Sequence, residues 1–227
     1  MATKATDYNA TTIITTPLGV SQYIVECRGG GGGGSYTGSK TARPGGGGGG
    51  GGYAKTAVVY VIAGKNYTAT VGAQVAHQAA GNKSEFTGEK TTSCSADGGG
   101  TTSTYKGGAG GAGKVGDSKQ TGGAGGQADN TNDYGGAGGG EGADSGKTGI
   151  AGKANTTSTG GAGGTGGDGG DGGAGGDNTK AGNDGIQPGG GGGGAGGTND
   201  TAGKGAAGRV TITYTIPVNV LQNVVCV

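Results

Sequence analysis

Hydrophobic residues in this chain fall almost entirely into three stretches, and the rest of the sequence is mainly polar residues and glycine. Leu, Ile, Val and Phe occur 25 times in 227 residues, and 21 of these lie within residues 13–25, 58–75 and 210–227. The residues from 76 to 209 contain only Phe86, Val115, Ile150 and Ile186. Because a conventional domain of this length buries a larger apolar core, the pattern predicts a small core joined to a body that is stabilised differently.

The apolar stretches have the composition and periodicity of β-strands. Residues 209–216, RVTITYTI, alternate between large side chains and threonine, which is typical of a strand with one buried face. Residues 20–27 predict a further strand. Residues 56–62 and 67–71 are rich in β-branched and aromatic side chains and flank a turn at 63–66, so they predict a hairpin.

Glycine accounts for 67 of the 227 residues, which is about four times its usual share of roughly 7%. Residues 160–177 read GGAGGTGGDGGDGGAGGD, six unbroken Gly-Gly-X triplets. Polyproline II has the same period of three residues per turn, and in a Gly-Gly-X chain it leaves two edges of bare backbone. The N–H and C=O groups of these edges can be satisfied by neighbouring runs of the same kind. The repeat therefore predicts polyglycine II helices packed in a bundle; the alternative, an array of flexible linkers, gives no reason for a strict triplet phase.

The predicted fold class is irregular and mainly non-helical. A small β-sheet, formed by N- and C-terminal strands plus a hairpin, is expected to cap a packed bundle of polyglycine II helices. Residues 1–227 are predicted to form a single glycine-rich domain, with a sheet part at 13–75 and 209–216. The bundle and its loops are predicted at 29–52 and 98–208.

Charge and apolar pattern exclude several classes of partner. The formal net charge is +1 and no basic stripe is present, so nucleic acid is not an expected partner. No signal peptide and no apolar run long enough for a bilayer are visible, so membrane insertion is not expected. Cys27, Cys94 and Cys226 form no metal-ligand pattern and cannot all pair, so they are expected to be small buried or half-buried side chains, with a functional thiol as the alternative.

No catalytic activity, cofactor or metal is expected from the remaining motifs. His77 is the sole histidine, and no nucleophile has a companion base in sequence. Residues 142–148, GADSGKT, approach a phosphate-binding loop, but Glu141 occupies the position of its first glycine. The carboxylates of the triplet run leave calcium binding open as an alternative to a solvated acidic rim; they are Asp168, Asp171 and Asp177.

Several motifs occur in a definite order along residues 17–214. They are TTPLGVSQYIVECRGGGGGG, then PGGGGGGGGYAKTAVVYVIAGKNYTATVGA, then the Gly-Gly-X runs, then GRVTITY. This order resembles the glycine-rich domain of bacteriophage tail proteins and tail-tip adhesins. The resemblance implies a sandwich of polyglycine II helices with loops at its end that bind host outer-membrane structures.

The expected function is that of a non-enzymatic, surface-displayed virion protein, namely a tail-fibre or tail-tip adhesin, assembled in the host cytoplasm. Its expected partners are other virion proteins of the fibre, baseplate or capsid, and a host outer-membrane protein or polysaccharide. One alternative is a capsid decoration or fibre spacer protein without receptor binding. Another is an ice-binding or extracellular matrix protein, although carboxylates interrupt the flat Ala and Thr face that ice binding requires.

Three groups of residues are candidates for these roles. Aromatic residues beside glycine runs or in polar segments are candidates for receptor binding, because tyrosine offers rigid amphipathic contact area: Tyr36, Phe86, Tyr105 and Tyr134. The resemblance implies bundle positions for Gly107, Gly108, Gly110, Gly111, Gly160, Gly161, Gly163, Gly164, Gly189 and Gly190. The apolar tail, residues 217–227, is predicted to dock onto another virion protein or to pack under the sheet through Val220, Leu221, Val224 and Val225.

Overall fold

The structure is a computed structural model in which the described residues form β-strands and extended glycine runs, with no helix among them. The described residues are 2–36, 43–89, 91–101, 105–129, 135–155, 158–165, 169–177, 179–197 and 201–217. The strands are β1 (Ala2–Tyr8), β2 (Thr12–Thr15), β3 (Gln22–Arg28), β4 (Tyr53–Tyr60), β5 (Asn66–Thr70), β6 (Ser84–Thr87), β7 (Thr92–Ala96), β8 (Gly113–Val115), β9 (Ser118–Gln120) and β10 (Arg209–Ile216). The predicted non-helical class is confirmed.

The strands form two antiparallel sheets of five strands each. The first sheet has the order β1-β10-β3-β4-β9, and the second sheet has the order β2-β5-β6-β7-β8. In the first sheet β10 lies between β1 and β3, with Val210 opposite both Tyr8 and Cys27. The two ends of the described chain therefore meet in one sheet, as the sequence predicts.

A single core lies between the two sheets. Val210 and Ile212 of β10 are buried while the threonines between and after them are not, which confirms the alternation predicted for this strand. From the second sheet Phe86 enters the same core, and its ring centroid lies 6.1 Å from that of Tyr23 on β3. The alternating strands of both sheets thus supply the small apolar core that the sequence predicts.

The predicted hairpin at 56–71 is wrong, although both of its strands exist. β4 pairs with β3 and β9, whereas β5 pairs with β2 and β6. The turn forms, because the N–H of Lys65 donates to the carbonyl of Ile62 at 3.1 Å, but it carries the chain from one sheet to the other. Val59 and Tyr67 both enter the core, and two consecutive strands that face one core from opposite sides belong to opposite sheets.

Six of the strands have too few apolar residues to be predicted from periodicity: β1, β2, β6, β7, β8 and β9. In β7 the buried side chains are the small Cys94, Ser95 and Ala96. β8 and β9 lie within residues 98–208, which the sequence assigns to the bundle and its loops. These short strands are recognisable only from the backbone pairing that the fold gives them.

The glycine runs pack side by side, and backbone hydrogen bonds join them. Residues 45–52, which we call the central run, donate backbone N–H groups to three neighbouring runs and accept them from three others, at 2.7–3.1 Å. The runs that accept from it are 97–100, 122–126 and 189–195, and those that donate to it are 29–35, 107–112 and 135–143. Hydrogen bonding between main-chain groups therefore takes the place of apolar burial in this part of the protein.

Hydrogen bonds from the central run to any one neighbour recur at every third residue. The N–H groups of Gly45, Gly48 and Gly51 donate to the carbonyls of Ala195, Gly192 and Gly189, respectively. A spacing of three residues is the period that the Gly-Gly-X repeat predicts. The polyglycine II conformation itself, which backbone dihedral angles define, stays a prediction.

Charged side chains join the first sheet to the bundle. Arg28 ends β3, and its Nε donates to Oδ1 of Asp144 at 3.1 Å, directly after the run 135–143. One of its terminal nitrogens contacts the same oxygen and also lies 3.3 Å from Oε2 of Glu26. The guanidinium lies over the ring of Tyr53, 5.1 Å from its centroid. Tyr53, the first residue of β4, is fully buried at this junction.

Alkaline pH is expected to destabilise the protein through Tyr53. Burial raises the pKa of Tyr53 from 10.0 to about 12. The stability linked to this proton is fully present below pH 10 and is lost as the pH rises towards 12, because the unfolded chain releases the proton first. We expect a loss of about 2 kcal/mol from this group.

Urea unfolding of the wild type and of Tyr53→Phe at pH 9 and at pH 11.5 measures this effect. The phenylalanine variant cannot ionise at this position, so its free energy of unfolding should fall less over the same interval. Other groups that titrate in this range contribute equally to both proteins. An identical loss in the two proteins would contradict the assignment to Tyr53.

Candidate functional site

The end of the bundle farthest from the sheets brings together segments that are distant in sequence. Ser35 ends the run that leaves β3, and its N–H donates to the carbonyl of Gly46 at 2.9 Å. The carbonyl of Ser35 accepts the N–H of Ala195 at 3.0 Å, so three runs meet here. We call this end of the bundle the loop end. Its described residues include Tyr36, His77, Gln78, Tyr105, Lys106, Ala128, Asp129, Asn155, Asp177 and Lys180.

Tyr36 lies at the loop end and is held there by a neighbouring segment. Its half-buried ring packs edge-on against the ring of His77, with centroids 5.2 Å apart and an interplanar angle of 71°. Nε2 of Gln78 donates to the carbonyl of Tyr36 at 2.7 Å. Gln78 has a φ of 57°, a left-handed conformation that is uncommon for a residue other than glycine. Its own N–H donates to the carbonyl of Gly34 at 2.8 Å, which fixes this segment to the end of the run.

Tyr105 occupies a comparable position at the start of the run 107–112. It is half-buried, and its carbonyl accepts the N–H of Ala128 at 2.7 Å. The next residue, Lys106, is exposed. The N–H of Asp129 donates to Oδ1 of Asn155 at 2.8 Å, which links this segment to the end of another run. The loop end thus presents tyrosine rings among polar side chains and backbone groups.

An ion pair lies at the loop end on the triplet run. Nζ of Lys180 lies 3.0 Å from Oδ2 of Asp177, and this ammonium group lowers the pKa of the Asp177 carboxyl. The N–H of Gly160 also donates to Oδ1 of Asp177, at 3.2 Å. The carboxylate therefore connects the two ends of the triplet run with the segment that follows it. It remains solvent-accessible, so its contribution to stability is expected to be small.

One of the four receptor-binding candidates lies away from the loop end, and another lies outside the described residues. The structure places Phe86 in the core between the sheets, fully buried, so it cannot present its ring to a receptor and we withdraw it from the candidates. Its polar sequence neighbours suggested exposure, but the inward side of β6 consists of Ser84 and Phe86, both of which are buried. Tyr134 lies outside the described residues. Tyr36 and Tyr105 are therefore the candidates that the described part of the chain places at the loop end.

The candidate bundle glycines lie within the packed runs. In nine of the ten, an added Cβ would fall between 1.8 and 2.4 Å from a backbone atom of a neighbouring segment, which for Gly160 and Gly163 is the second half of the same triplet run. The tenth, Gly189, has a φ of 83° and would meet the carbonyl oxygen of Gly29 at 2.7 Å. Contacts this short leave no room for a side chain, because the atom that the Cβ would meet belongs to the main chain and cannot rotate away. The tail candidates Val220, Leu221, Val224 and Val225 lie outside the described residues.

Comparison with protein families agrees with this architecture. A family model described as a glycine-rich domain matches residues 6–215, a range that includes the last three residues of β1, all of β10 except Ile216, and the runs described above. The chain belongs to this family of glycine-rich domains. A comparison with curated proteins gives no match.

The glycine-rich domain also has an apolar surface at the end opposite the loops. Leu18 and Tyr60 are 70% and 73% exposed, respectively. We call this the base surface, and it consists of Leu18, Ile24, Val58, Tyr60 and Ile62. This surface was not predicted from the sequence, although the stretch TAVVYVI indicates the part formed by Val58, Tyr60 and Ile62, because apolar residues occupy both alternating sets of positions there. Whichever set enters the core, the other set is exposed on the outer face of the sheet.

A cavity of about 480 Å³ opens beside the base surface of the glycine-rich domain. It lies where β3 and β10 stop pairing, beyond the pair formed by Ile24 and Thr213. Its lining includes Tyr23, Ile24, Ala57, Tyr214 and Pro217. The cavity and the base surface share Ile24 and therefore form one continuous region at the end of the first sheet that is farthest from the bundle.

Other motifs of the glycine-rich domain have structural positions. Asp144 and Lys147, within the stretch that approaches a phosphate-binding loop, form a tight turn with reciprocal backbone hydrogen bonds of 3.2 and 3.1 Å. Among the described residues, no group of three or more His, Cys, Asp and Glu side chains is placed to hold a metal ion. Asp168, one of the calcium candidates, lies outside those residues. In the same part of the chain, no helix has the length and hydropathy needed to cross a bilayer.

Proposed function

We propose that this glycine-rich domain is a non-enzymatic bacteriophage virion protein that binds the host cell envelope through its loop end, as a tail-fibre or tail-tip adhesin does. The observation that carries the proposal is the convergence of separate runs at one end, with Tyr36 and Tyr105 half-exposed there. A rigid hydrogen-bonded body holds the loops in place, so little conformational freedom has to be lost when a partner binds.

The chemistry of the loop end suits a protein loop or a polysaccharide. Tyrosine rings supply flat contact area, as sugar rings and peptide segments require, and their hydroxyl groups add hydrogen bonds. Lys106 and Gln78 place polar side chains beside the two tyrosines. A host outer-membrane protein or surface polysaccharide is the partner class that fits this combination.

The opposite end of the domain suits attachment to the virion. The base surface exposes large apolar side chains, three of which lie on the neighbouring strands β3 and β4, and such exposure is typical of an interface with another protein. We propose that another protein of the fibre, baseplate or capsid covers this surface. Docking of the apolar tail onto such a protein stays a prediction, because its residues lie outside the described chain.

Binding of the purified, fluorescently labelled domain to cells and envelope fractions of candidate bacterial hosts tests the adhesin proposal. We expect saturable binding by the wild type and at least a tenfold loss of affinity in the double variant Tyr36→Ala/Tyr105→Ala, since rigid aromatic contacts commonly contribute more than 1 kcal/mol each. The matched control is Tyr60→Ala, which removes an exposed tyrosine from the base surface and should bind as the wild type does.

Two results would contradict the adhesin proposal. If the double variant binds as tightly as the wild type while Tyr60→Ala does not, the loop end is not the receptor surface. If the folded domain binds no host envelope fraction, the capsid decoration or fibre spacer role becomes the better explanation. The apolar base surface would still provide virion attachment in that case.

A further inference from the structure

Two buried cysteines face each other across the core, and the proposed function uses neither of them. Cys27 lies on β3 of the first sheet and Cys94 on β7 of the second, and both are free thiols with fully buried side chains. Sγ of Cys27 lies 3.5 Å from the carbonyl oxygen of Cys94. Sγ of Cys94 lies 3.3 Å from the carbonyl oxygen of Ala54 and 3.6 Å from that of Val25. Each sulfur therefore touches the backbone of the opposite sheet.

The sheets are unusually close at this position. Sheets packed face to face are on average about 10 Å apart, with two layers of side chains between them. Here the side chain of Cys27 reaches the backbone of the second sheet, and the side chain of Cys94 reaches the backbone of the first. The small residues Ala54 and Ala96 belong to the same buried core. A disulfide requires two cysteines whose backbones approach closely, and each sulfur here lies within 3.6 Å of a backbone carbonyl oxygen of the opposite sheet.

The two thiols differ in how readily they lose a proton. A hydrogen bond from Cys27 lowers the pKa of Cys94. Burial raises the pKa of Cys27, so Cys94 is the thiol of the pair that loses its proton more readily. Since the thiolate is the reactive form of cysteine, Cys94 is the nucleophile of the pair and Cys27 is its partner.

We propose that Cys27 and Cys94 form a redox site in which a hydroperoxide oxidises Cys94 and Cys27 then closes a disulfide between the two sheets. The Cys94 thiolate attacks one peroxide oxygen, the O–O bond breaks, and the second oxygen leaves as hydroxide, which takes up a proton to become water. This step produces a sulfenic acid at Cys94. Sγ of Cys27 attacks Sγ of Cys94, the S–S bond forms, and the sulfenic hydroxyl leaves as water with the Cys27 proton. Two electrons pass from the thiols to one peroxide molecule.

Peroxide is the oxidant class that fits the position of these thiols. Both sulfurs are fully buried, so an oxidant reaches them only when the core opens transiently, and hydrogen peroxide needs a smaller opening than a bulky oxidant such as glutathione disulfide. The disulfide would close a loop of about 70 residues and so restrict the unfolded chain strongly. The oxidised form is therefore expected to be the more stable one.

The test uses the Cys226→Ser variant, in which Cys27 and Cys94 are the two remaining cysteines. After treatment with hydrogen peroxide, we expect both thiols to stop reacting with Ellman's reagent in guanidinium chloride while the protein stays monomeric on a non-reducing gel. The Tm should rise by roughly 10 °C, and dithiothreitol should reverse the change. Mass spectrometry of proteolytic fragments should identify a Cys27–Cys94 cross-link.

Single-thiol variants distinguish the roles of the two residues. In the same background, Cys27→Ala should accumulate sulfenic acid at Cys94, trapped by dimedone on unfolding, whereas Cys94→Ala should yield none at Cys27. The proposal is overturned if both thiols still titrate after peroxide treatment, or if Cys94 is oxidised to a sulfinic acid while Cys27 stays a thiol. Should an alanine variant fail to fold, cross-link mapping in the wild-type chain decides between the same outcomes.

Discussion

Replacing Gly50 with alanine is expected to unfold the glycine-rich domain. An added Cβ would lie 1.8 Å from the carbonyl oxygen of Glu141 and 2.3 Å from its carbonyl carbon. That oxygen accepts the N–H of Gly123 at 2.8 Å, and the N–H of Gly50 donates to the carbonyl of Gly123 at 2.8 Å. The clash can be relieved only by separating runs that these bonds hold together. We expect the substitution to cost at least about 4 kcal/mol, above the usual range for overpacking.

Thermal unfolding followed by circular dichroism, together with limited proteolysis, measures the effect of Gly50→Ala. The matched control is Ala124→Ser, at an exposed X position of the neighbouring run 122–126, where an added oxygen meets solvent. This control should change the free energy of unfolding by no more than about 0.5 kcal/mol. A Gly50→Ala variant with the Tm of the wild type would mean that the central run is not packed as described.

Replacing Phe86 with alanine is expected to have the second largest effect, a loss of about 3–5 kcal/mol in the free energy of unfolding. Phe86 is fully buried, and its ring centroid lies 6.1 Å from that of Tyr23 and 6.0 Å from that of Tyr67. The substitution would leave a cavity at the centre of a core that has few other large side chains. Little apolar packing is available elsewhere in the chain to offset this loss.

Urea unfolding measures the effect, with Phe86→Leu as the control that keeps a large apolar side chain, which should lose less than half as much. Phe86→Leu should also bind host cells as the wild type does, because the core is remote from the loop end. If Phe86→Ala were fully stable but lost attachment to host cells, a role in receptor binding would have to be reconsidered.

The sequence predicts strands only where a side-chain pattern marks a buried face. β10 is recognisable because its large residues alternate with threonine. β1, ATKATDY, carries no such pattern, because it is an edge strand that joins the first sheet by pairing its backbone with β10. The hairpin was predicted wrongly for a related reason. A turn between two strands does not specify whether they pair with each other or face each other across a core.

The candidate site was predicted in part. Tyr36 and Tyr105 were identified because they adjoin glycine runs that offer no core to bury them. Phe86 was misassigned, because a single aromatic residue in a four-residue strand is too short a signal for periodicity to detect. His77 and Gln78 reach the loop end through contacts with a run about 40 positions earlier in sequence. Such long-range pairings depend on the order in which the runs pack, which the triplet repeat does not encode.

The hydrogen-bonded bundle has a consequence for how the protein responds to temperature. The heat capacity of unfolding rises with the apolar area exposed, and exposure of polar groups lowers it. Unfolding of the bundle exposes mainly peptide groups, so the heat-capacity increment per residue should be below the usual value of about 12–15 cal/mol/K. The stability curve should therefore be unusually flat, so the domain should stay folded over a wide range of low and high temperatures.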